Sequence, residues 1–492
     1  TAQNSGDWQV AGNWDNGIPG TDDAAVIPAG KSLTLTNATA ALSGFTNNGT
    51  LTFLSTNSVL TATDIHVDGL ITHSNNTAAA TNALGQWIPD NRVWIGCTNI
   101  VIASGGSISA DGKGYAGAPV AVGDGYGPGA GKNRGNSGGG GGYGGAGGAP
   151  DTNLGPPDYS GAGITYGVAT APADPGSGGA NNNNKNGAGG AGGGWVRIDA
   201  AGTVTVNGKI TASGGNFGGA RSGGGSGGAL YITCRTFAAT NGFLFANGGA
   251  GTADGAGNAG GGGGGRIALV YDVTAQATAN LTARPALQIA ANNGTCAHIA
   301  QPGTIYLPDA GFFPSTIMQG GQVIIPGFAS WTPDSLSVSS GRLAFASQFQ
   351  LRVTNDLNIT ARGGLELTNS LISVGGDLTM NGAVNDKSLW YGGPDAGFTV
   401  GGNMTLNTEP MYLYGGLTNA MAASIGGNLT MTNAARLYVY AGMTNSPGPD
   451  YGALITVTGG VLLASNSWIY PVSQPTNGGS CLFRAQSLTL AP

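Results

Sequence analysis

Glutamate is almost missing from this chain of 492 residues. Only Glu366 and Glu409 are present, so nearly all the acid is Asp. Charged residues make up 9% of the chain, against roughly 25% in ordinary soluble proteins. The net charge is −6 and no basic cluster exists, which argues against a nucleic-acid partner. Helix formers such as Glu and Lys are scarce while Gly, Thr and Asn abound, so helix is not the expected element. No apolar run approaches the roughly 18 residues of a membrane span, and no span is expected.

Catalytic signatures are scarce too. His66, His73 and His298 are the only histidines, and none sits in a motif. GxSxG, HExxH and P-loop patterns are absent. Asp22-Asp23 is the one adjacent acid pair. Pectinase-type β-helix hydrolases pair Asp residues with His and Arg/Lys motifs that do not follow here. The pair reads as turn residues before "AAVIPAG". The four cysteines (Cys97, Cys234, Cys296, Cys481) are far apart and form no CxxC. One or two disulfides are open, with no pairing fixed by spacing, and lone cysteines in strand cores are the other reading. The chain opens "TAQNSGDW" without Met or signal peptide, which reads as a processed, mature form.

What abounds is Gly, with 94 residues. The run "SGGGGGYGGAGGAP" (137–150) has linker composition. Its neighbours keep register with strands, as a linker would not. "GGGWVRIDA" (192–200), "SGGALYITC" (226–234) and "GGGRIALVY" (263–271) align at steps of 34 and 37. Ala110, Ala212 and Ala246 occupy one place in a second aligned segment. Two readings follow: closely packed backbone of the polyglycine II kind beside sheets, with Tyr143 as a peg against it, or exposed flexible loops.

The C-terminal third repeats "VGGDLTM" (374–380), "VGGNMTL" (400–406), "IGGNLTM" (425–431) and "VTGGVLL" (457–463), with "TNDLNIT" (354–360) as a degenerate copy. Each is a turn followed by period-2 alternation, the mark of a strand with one buried face. A strand-turn-strand unit recurring every roughly 20–35 residues means a solenoid. The expected fold is all-β, a parallel β-helix (β-solenoid) with Gly-rich segments; a β-propeller is the alternative. Composition divides it into a cap with first coils (1–104), a Gly-rich section (105–272) and C-terminal coils with GGNLTM-type repeats (273–492).

The opening "GDWQVAGNWDNGIPGTDDAAVIPAG", with Trp8, Gly12-Asn13-Trp14, Gly17 and Pro19, resembles the first segment of secreted β-helix surface proteins of environmental bacteria, autotransporter-like or bearing sorting signals. The Gly-rich segments "ISADGKGYAG" and "GGGGGGRIAL" resemble other large secreted proteins of such organisms. The resemblance implies a secreted, extracellular β-solenoid and carries over no catalytic residue. Trp8, Trp14 and Pro19 are then candidates for an end cap, since a terminal coil exposes its core and an unpaired edge. Ordinary core residues of a first coil would look the same.

No cofactor is expected. A structural Ca²⁺ at Asp111, Asp124, Asp254 or Asp272 in Gly-rich turns is the open alternative, with spacing that never recurs. Asn-x-Thr triplets recur, partly through the repeat itself, and glycosylation is open. Tyr391, Tyr412, Tyr414, Tyr438 and Tyr440 read as strand residues, with glycan stacking as the alternative.

Ser-Leu-Thr-Leu occurs twice, at Ser32, Leu33, Thr34, Leu35 and at Ser487, Leu488, Thr489, Leu490. An end strand of alternating apolar residues is a template for another strand. Stacking one end on the first coil of a second molecule would be heterologous and give a filament. The expected function is a self-assembling extracellular fibre or matrix subunit, not an enzyme, whose partner is itself and whose further partners are extracellular glycans. The alternatives are an adhesin or glycan-binding stalk and, further off, a β-helix polysaccharide lyase or hydrolase.

Overall fold

The computed structural model describes the chain apart from residues 121–122, 152–158, 183–186, 253–257, 280–286, 297–299, 313–315, 319–322, 340–341, 361–362, 383–388, 393–396, 409, 415–420, 445–450, 477–478 and 492. The chain forms two compact units, Thr1–Pro308 and Asp309–Pro492. The compositional boundaries at 104/105 and 272/273 both fall inside the first. The fold is all-β with parallel sheets. Among the described residues the one α-helix is the short Val273–Ala279.

In the first unit one sheet runs Gly6–Asp7, Ser32–Leu35, Thr50–Phe53, Leu70–His73, Ser107–Ser109, Lys209–Thr211, Gly242–Phe245 and Leu287–Ala290, in that order. Its strands follow from alternation. In parallel register, Leu33, Leu51, Ile71, Ile108, Ile210, Leu244 and Ile289 stack in one column, and all are buried. Burying each such side chain contributes about 1.5–3 kcal/mol. A second sheet takes the intervening strands, Ala24–Ile27, Leu42–Asn47, Leu60–Val67, Val93–Ile102, Trp195–Ala200, Ala229–Cys234 and Arg266–Tyr271. The three aligned Gly-preceded segments are neighbours here, with Trp195 opposite Ala229 and Ala229 opposite Arg266.

The glycine runs are hydrogen-bonded, largely buried backbone. Consecutive amides of 138–143 turn to three neighbours in rotation. Gly138 and Gly141 donate to the carbonyls of Arg221 and Gly224, Gly139 and Gly142 to Lys132 and Gly129, and Gly140 and Tyr143 to Gly148 and Gly145, all at 2.8–3.0 Å. The amides of 223–228 rotate likewise, to Ala180, Gly260, Gly215, Ser177, Gly263 and Ala212. A sheet strand bonds to two neighbours; a segment with three per turn bonds to three. Such close approach leaves no room for a side chain. A Cβ on Gly140 would overlap the Gly261 carbonyl.

Register between layer and sheet is fixed where each run enters a strand. Gly194, Gly228, Gly265 and Gly303 donate to the carbonyls of Ala110, Ala212, Ala246 and Ala291, each at 2.7 Å. Tyr143 is fully buried in this layer, packed with Trp195 and Ala229. Ala229 lies between Trp195 and Arg266 on the sheet, so its small side chain leaves the notch that the tyrosine fills.

The second unit has three parallel sheets, each taking every third strand. All five repeat copies fall in one sheet as successive strands: Leu357–Thr360, Leu378–Asn381, Met404–Asn407, Leu429–Thr432 and Gly460–Leu463. Leu357, Leu378, Met404, Leu429 and Val461 form the buried column. The Asp or Asn before each strand builds a ladder at the turns. Asp356 Oδ1 accepts the Asp377 amide (2.8 Å), Asp377 that of Asn403 (2.6 Å), Asn403 that of Asn428 (3.0 Å) and Asn428 that of Gly460 (2.9 Å). This is why the turns read Gly-Gly-Asp or Gly-Gly-Asn: a Cβ on Gly402 would overlap Asp377 Oδ1.

Candidate functional site: the two sheet ends

In the first unit, Gly6–Asp7 is the first strand of its sheet. It pairs with Ser32–Leu35, Gly6 opposite Leu33 and Asp7 opposite Thr34. Ser32–Leu35 pairs on its other side with Thr50–Phe53, and Leu33 and Leu35 are fully buried. It is therefore an interior strand. The expectation that Ser32, Leu33, Thr34 and Leu35 offer an edge to an incoming molecule does not fit this placement, because a two-residue strand with no alternation of its own already occupies that edge.

The segment around Gly6–Asp7 is closed on itself. Trp8 is fully buried and its amide donates to the Thr34 carbonyl at 2.8 Å. Trp14 meets it edge to face at a ring distance of 4.7 Å and donates its indole N–H to the Trp8 carbonyl. Phe45 lies 5.9 Å from Trp8 on the inner side. Pro19 is buried. Asn13 donates its amide to the Asp7 carbonyl at 2.8 Å. Val10 and Ile18 stand out from this segment, 51% and 40% exposed.

The last strands of the second unit are in the opposite condition. Cys481–Arg484 and Ser487–Leu490 each end a sheet, and Trp468–Val472 is the last strand in chain order of the third sheet. On one side they pair with Arg436–Tyr440, Ala453–Val457 and Gly460–Leu463. No second pairing is seen for them among the described residues. Their apolar side chains are in water: Leu488 is 63% exposed, Leu490 70% and Trp468 55%. The same tetrapeptide is thus buried in one unit and bare in the other.

An aromatic ladder leads to this end. Tyr412, Tyr438 and Tyr470 hold one register position on adjacent strands, with ring centres 4.7 and 4.6 Å apart and ring planes nearly parallel. Tyr414 and Tyr440 stack alongside at 4.3 Å. Face-to-face stacking turns the inner rings toward one another, so they do not lie flat as a platform on the sheet. Tyr391 sits opposite Leu413 in backbone register, one position off the ladder.

The acid–base groups are engaged structurally. His73 is buried, and desolvation lowers its pKa to about 4. Its Nδ1 donates to the Ser74 carbonyl at 2.7 Å, and Nε2 accepts the Trp195 amide at 3.2 Å. His66 pairs with Asp68 at 2.8 Å on the surface, and His298 lies outside the described residues. Asp22 has a left-handed φ of 63°, and Asp23 accepts the Gly20 amide, as turn residues do. Asp111 accepts the Ser213 amide, Asp124 that of Asn133, and Asp272 caps the helix at Thr274 and Ala275. Asp254 lies outside the described residues. No group of three or more metal-ligating side chains converges among the described residues. All four cysteines are free thiols, and burial pushes Cys97 and Cys234 up to about 12.

Ser487–Leu490 is a strand with exposed leucines; the stacking of Tyr412, Tyr438 and Tyr470 across adjacent strands was not read from the sequence. The alternating Tyr residues were the available signal for the ladder. Comparison with protein-family models, with curated proteins and with solved structures finds no match to this chain.

Proposed function

We propose that the chain is a β-solenoid with a polyglycine II layer, and that it serves as the subunit of a secreted fibre or surface layer built by head-to-tail stacking. The observation that carries this reading is the last layer of strands in the second unit, each paired on one side only among the described residues, where Leu488 continues the buried core column beyond Val461 and stands exposed with Leu490. Natural proteins blunt exposed edges with charge, proline or brevity; all three end strands are short, and Trp468–Val472 carries Pro471 and Cys481–Arg484 carries Arg484, but Ser487–Leu490 has neither proline nor charge and leaves its leucines bare. The Trp8–Trp14 segment then acts as a cap on the first sheet of the first unit.

The tyrosine ladder favours this reading over a glycan-binding stalk. A sugar ring stacks on an exposed aromatic face, and here the inner faces are taken by the neighbouring rings.

The test is sedimentation velocity over rising concentration, comparing the wild type with Leu488→Lys/Leu490→Lys. Both positions are on the surface, so the variant keeps the fold. The reading expects wild-type species that grow with concentration and a variant that stays monomeric. A wild type that remains monomeric at every concentration would refute it.

A further inference from the structure

Accepting head-to-tail stacking, we infer that the surface receiving the bare end is the outer face of a second copy's Trp8–Trp14 cap, steered by opposite charge between Asp22 and Arg484. The strand Ser32–Leu35 has both edges filled, so an incoming end meets the segment that covers it. That segment presents Val10 and Ile18 to water, apolar groups to set against Leu488 and Leu490.

Charge selects the pairing. Residues 1–30 contain Asp7, Asp15, Asp22 and Asp23 and no Lys or Arg. Residues 451–492 contain Arg484 and no other charged side chain. Joining two bare ends would set Arg484 against Arg484, and joining two caps would set Asp against Asp. Lys31 and the Thr1 amine are the cations beside the four Asp residues, so the cap is net acidic and the heterologous contact sets it against the cationic end. A heterologous contact that does not close produces a filament rather than a pair.

Within the acidic set, three carboxylates have local partners. Asp7 accepts the Gln9 amide, Asp15 binds the Thr1 amine and Asp23 accepts the Gly20 amide. Asp22 is exposed with no side-chain partner among the described residues, and Arg484 is exposed with no ion pair among them. Charges of this kind at a rim act mainly on association rate.

The test is a charge swap on the full chain at low salt, read as elongation rate by light scattering. Arg484→Glu and Asp22→Arg are each expected to slow elongation about tenfold, and the double variant to recover to within about threefold of wild type. Circular dichroism of each variant controls for folding. A double variant no faster than the slower single overturns the inference, as does an Arg484→Glu protein that elongates at the wild-type rate. In either case a wild type that still forms long assemblies leaves the stacking reading standing, whereas a wild type that never associates removes both.

Discussion

Arg266 holds its guanidinium 5.3 Å from the centre of the buried Tyr143 ring. The same group donates to the Tyr166 carbonyl (2.7 and 2.9 Å), to the Tyr143 carbonyl (3.3 Å) and to Thr304 Oγ1 (3.1 Å). One side chain from the sheet thus donates to carbonyls of the glycine layer, and a fully buried ring of that layer packs against it. Tyr143→Ala is expected to cost about 3–5 kcal/mol. Arg266→Met, which removes the guanidinium donors to the Tyr166 carbonyl and leaves the Tyr143 carbonyl with the Tyr166 amide alone, is expected to cost about 2–4 kcal/mol. Their sum should exceed the double variant's cost by about 1 kcal/mol, because the two are coupled. Urea denaturation of the four proteins checks this; strict additivity would show that the contact does not join layer and sheet.

Glycine is required by space at particular positions. A Cβ at Gly228 would overlap the Gly194 carbonyl, backbone that cannot swing away. Gly228→Ala is expected to destabilise by about 3 kcal/mol. Gly96, in a strand, has no heavy atom within 4 Å of its would-be Cβ, and Gly96→Ala is expected to stay within about 0.5 kcal/mol of wild type. Denaturant midpoints of the pair decide whether the layer is close-packed.

The buried His73 makes stability depend on pH. Its folded pKa of about 4 lies below its ordinary value of 6.5, so the fold favours the neutral ring. The contribution is fully present above pH 6.5 and is lost as pH falls toward 4. Between pH 7 and pH 5 the loss is about 2 kcal/mol. Protonation would also remove the Nε2 lone pair that accepts the Trp195 amide. His73→Gln should therefore lose about 2 kcal/mol less than wild type between those pH values in matched urea titrations. Equal losses would contradict the burial.

Sparse charge predicts an assembly whose final extent is insensitive to salt. With 9% charged residues and apolar ends, the polymer mass at equilibrium should be unchanged between about 50 mM and 1 M NaCl, while the elongation rate falls because salt screens the steering charges. Pelleting assays and scattering kinetics measure the two separately. Polymer that dissolves in high salt would show that ionic contacts hold it.

Much of the strand pairing was legible in the sequence. The GGNLTM copies and the Gly-preceded strands aligned on paper as they pair in space, because in a parallel stack each column repeats the same size and polarity. The Ala110, Ala212 and Ala246 alignment worked for the same reason: each carbonyl receives an amide from a glycine run. The three-way bonding of 138–143 was not legible, since its partners come from 129–132, 145–148 and 221–224, and glycine has no side chain to mark them. The placement of Ser32–Leu35 was also hidden. Its covering strand is Gly6–Asp7, too short to alternate, and the sequence identity with Ser487–Leu490 gave no hint that one copy is buried and the other bare.

Electron microscopy of the purified 492-residue protein alongside Leu488→Lys/Leu490→Lys tests the central claim most directly. The account predicts unbranched filaments of the wild type, and single particles of the variant under the same conditions. Wild-type preparations containing only single particles, or filaments equally abundant in the variant, would contradict it.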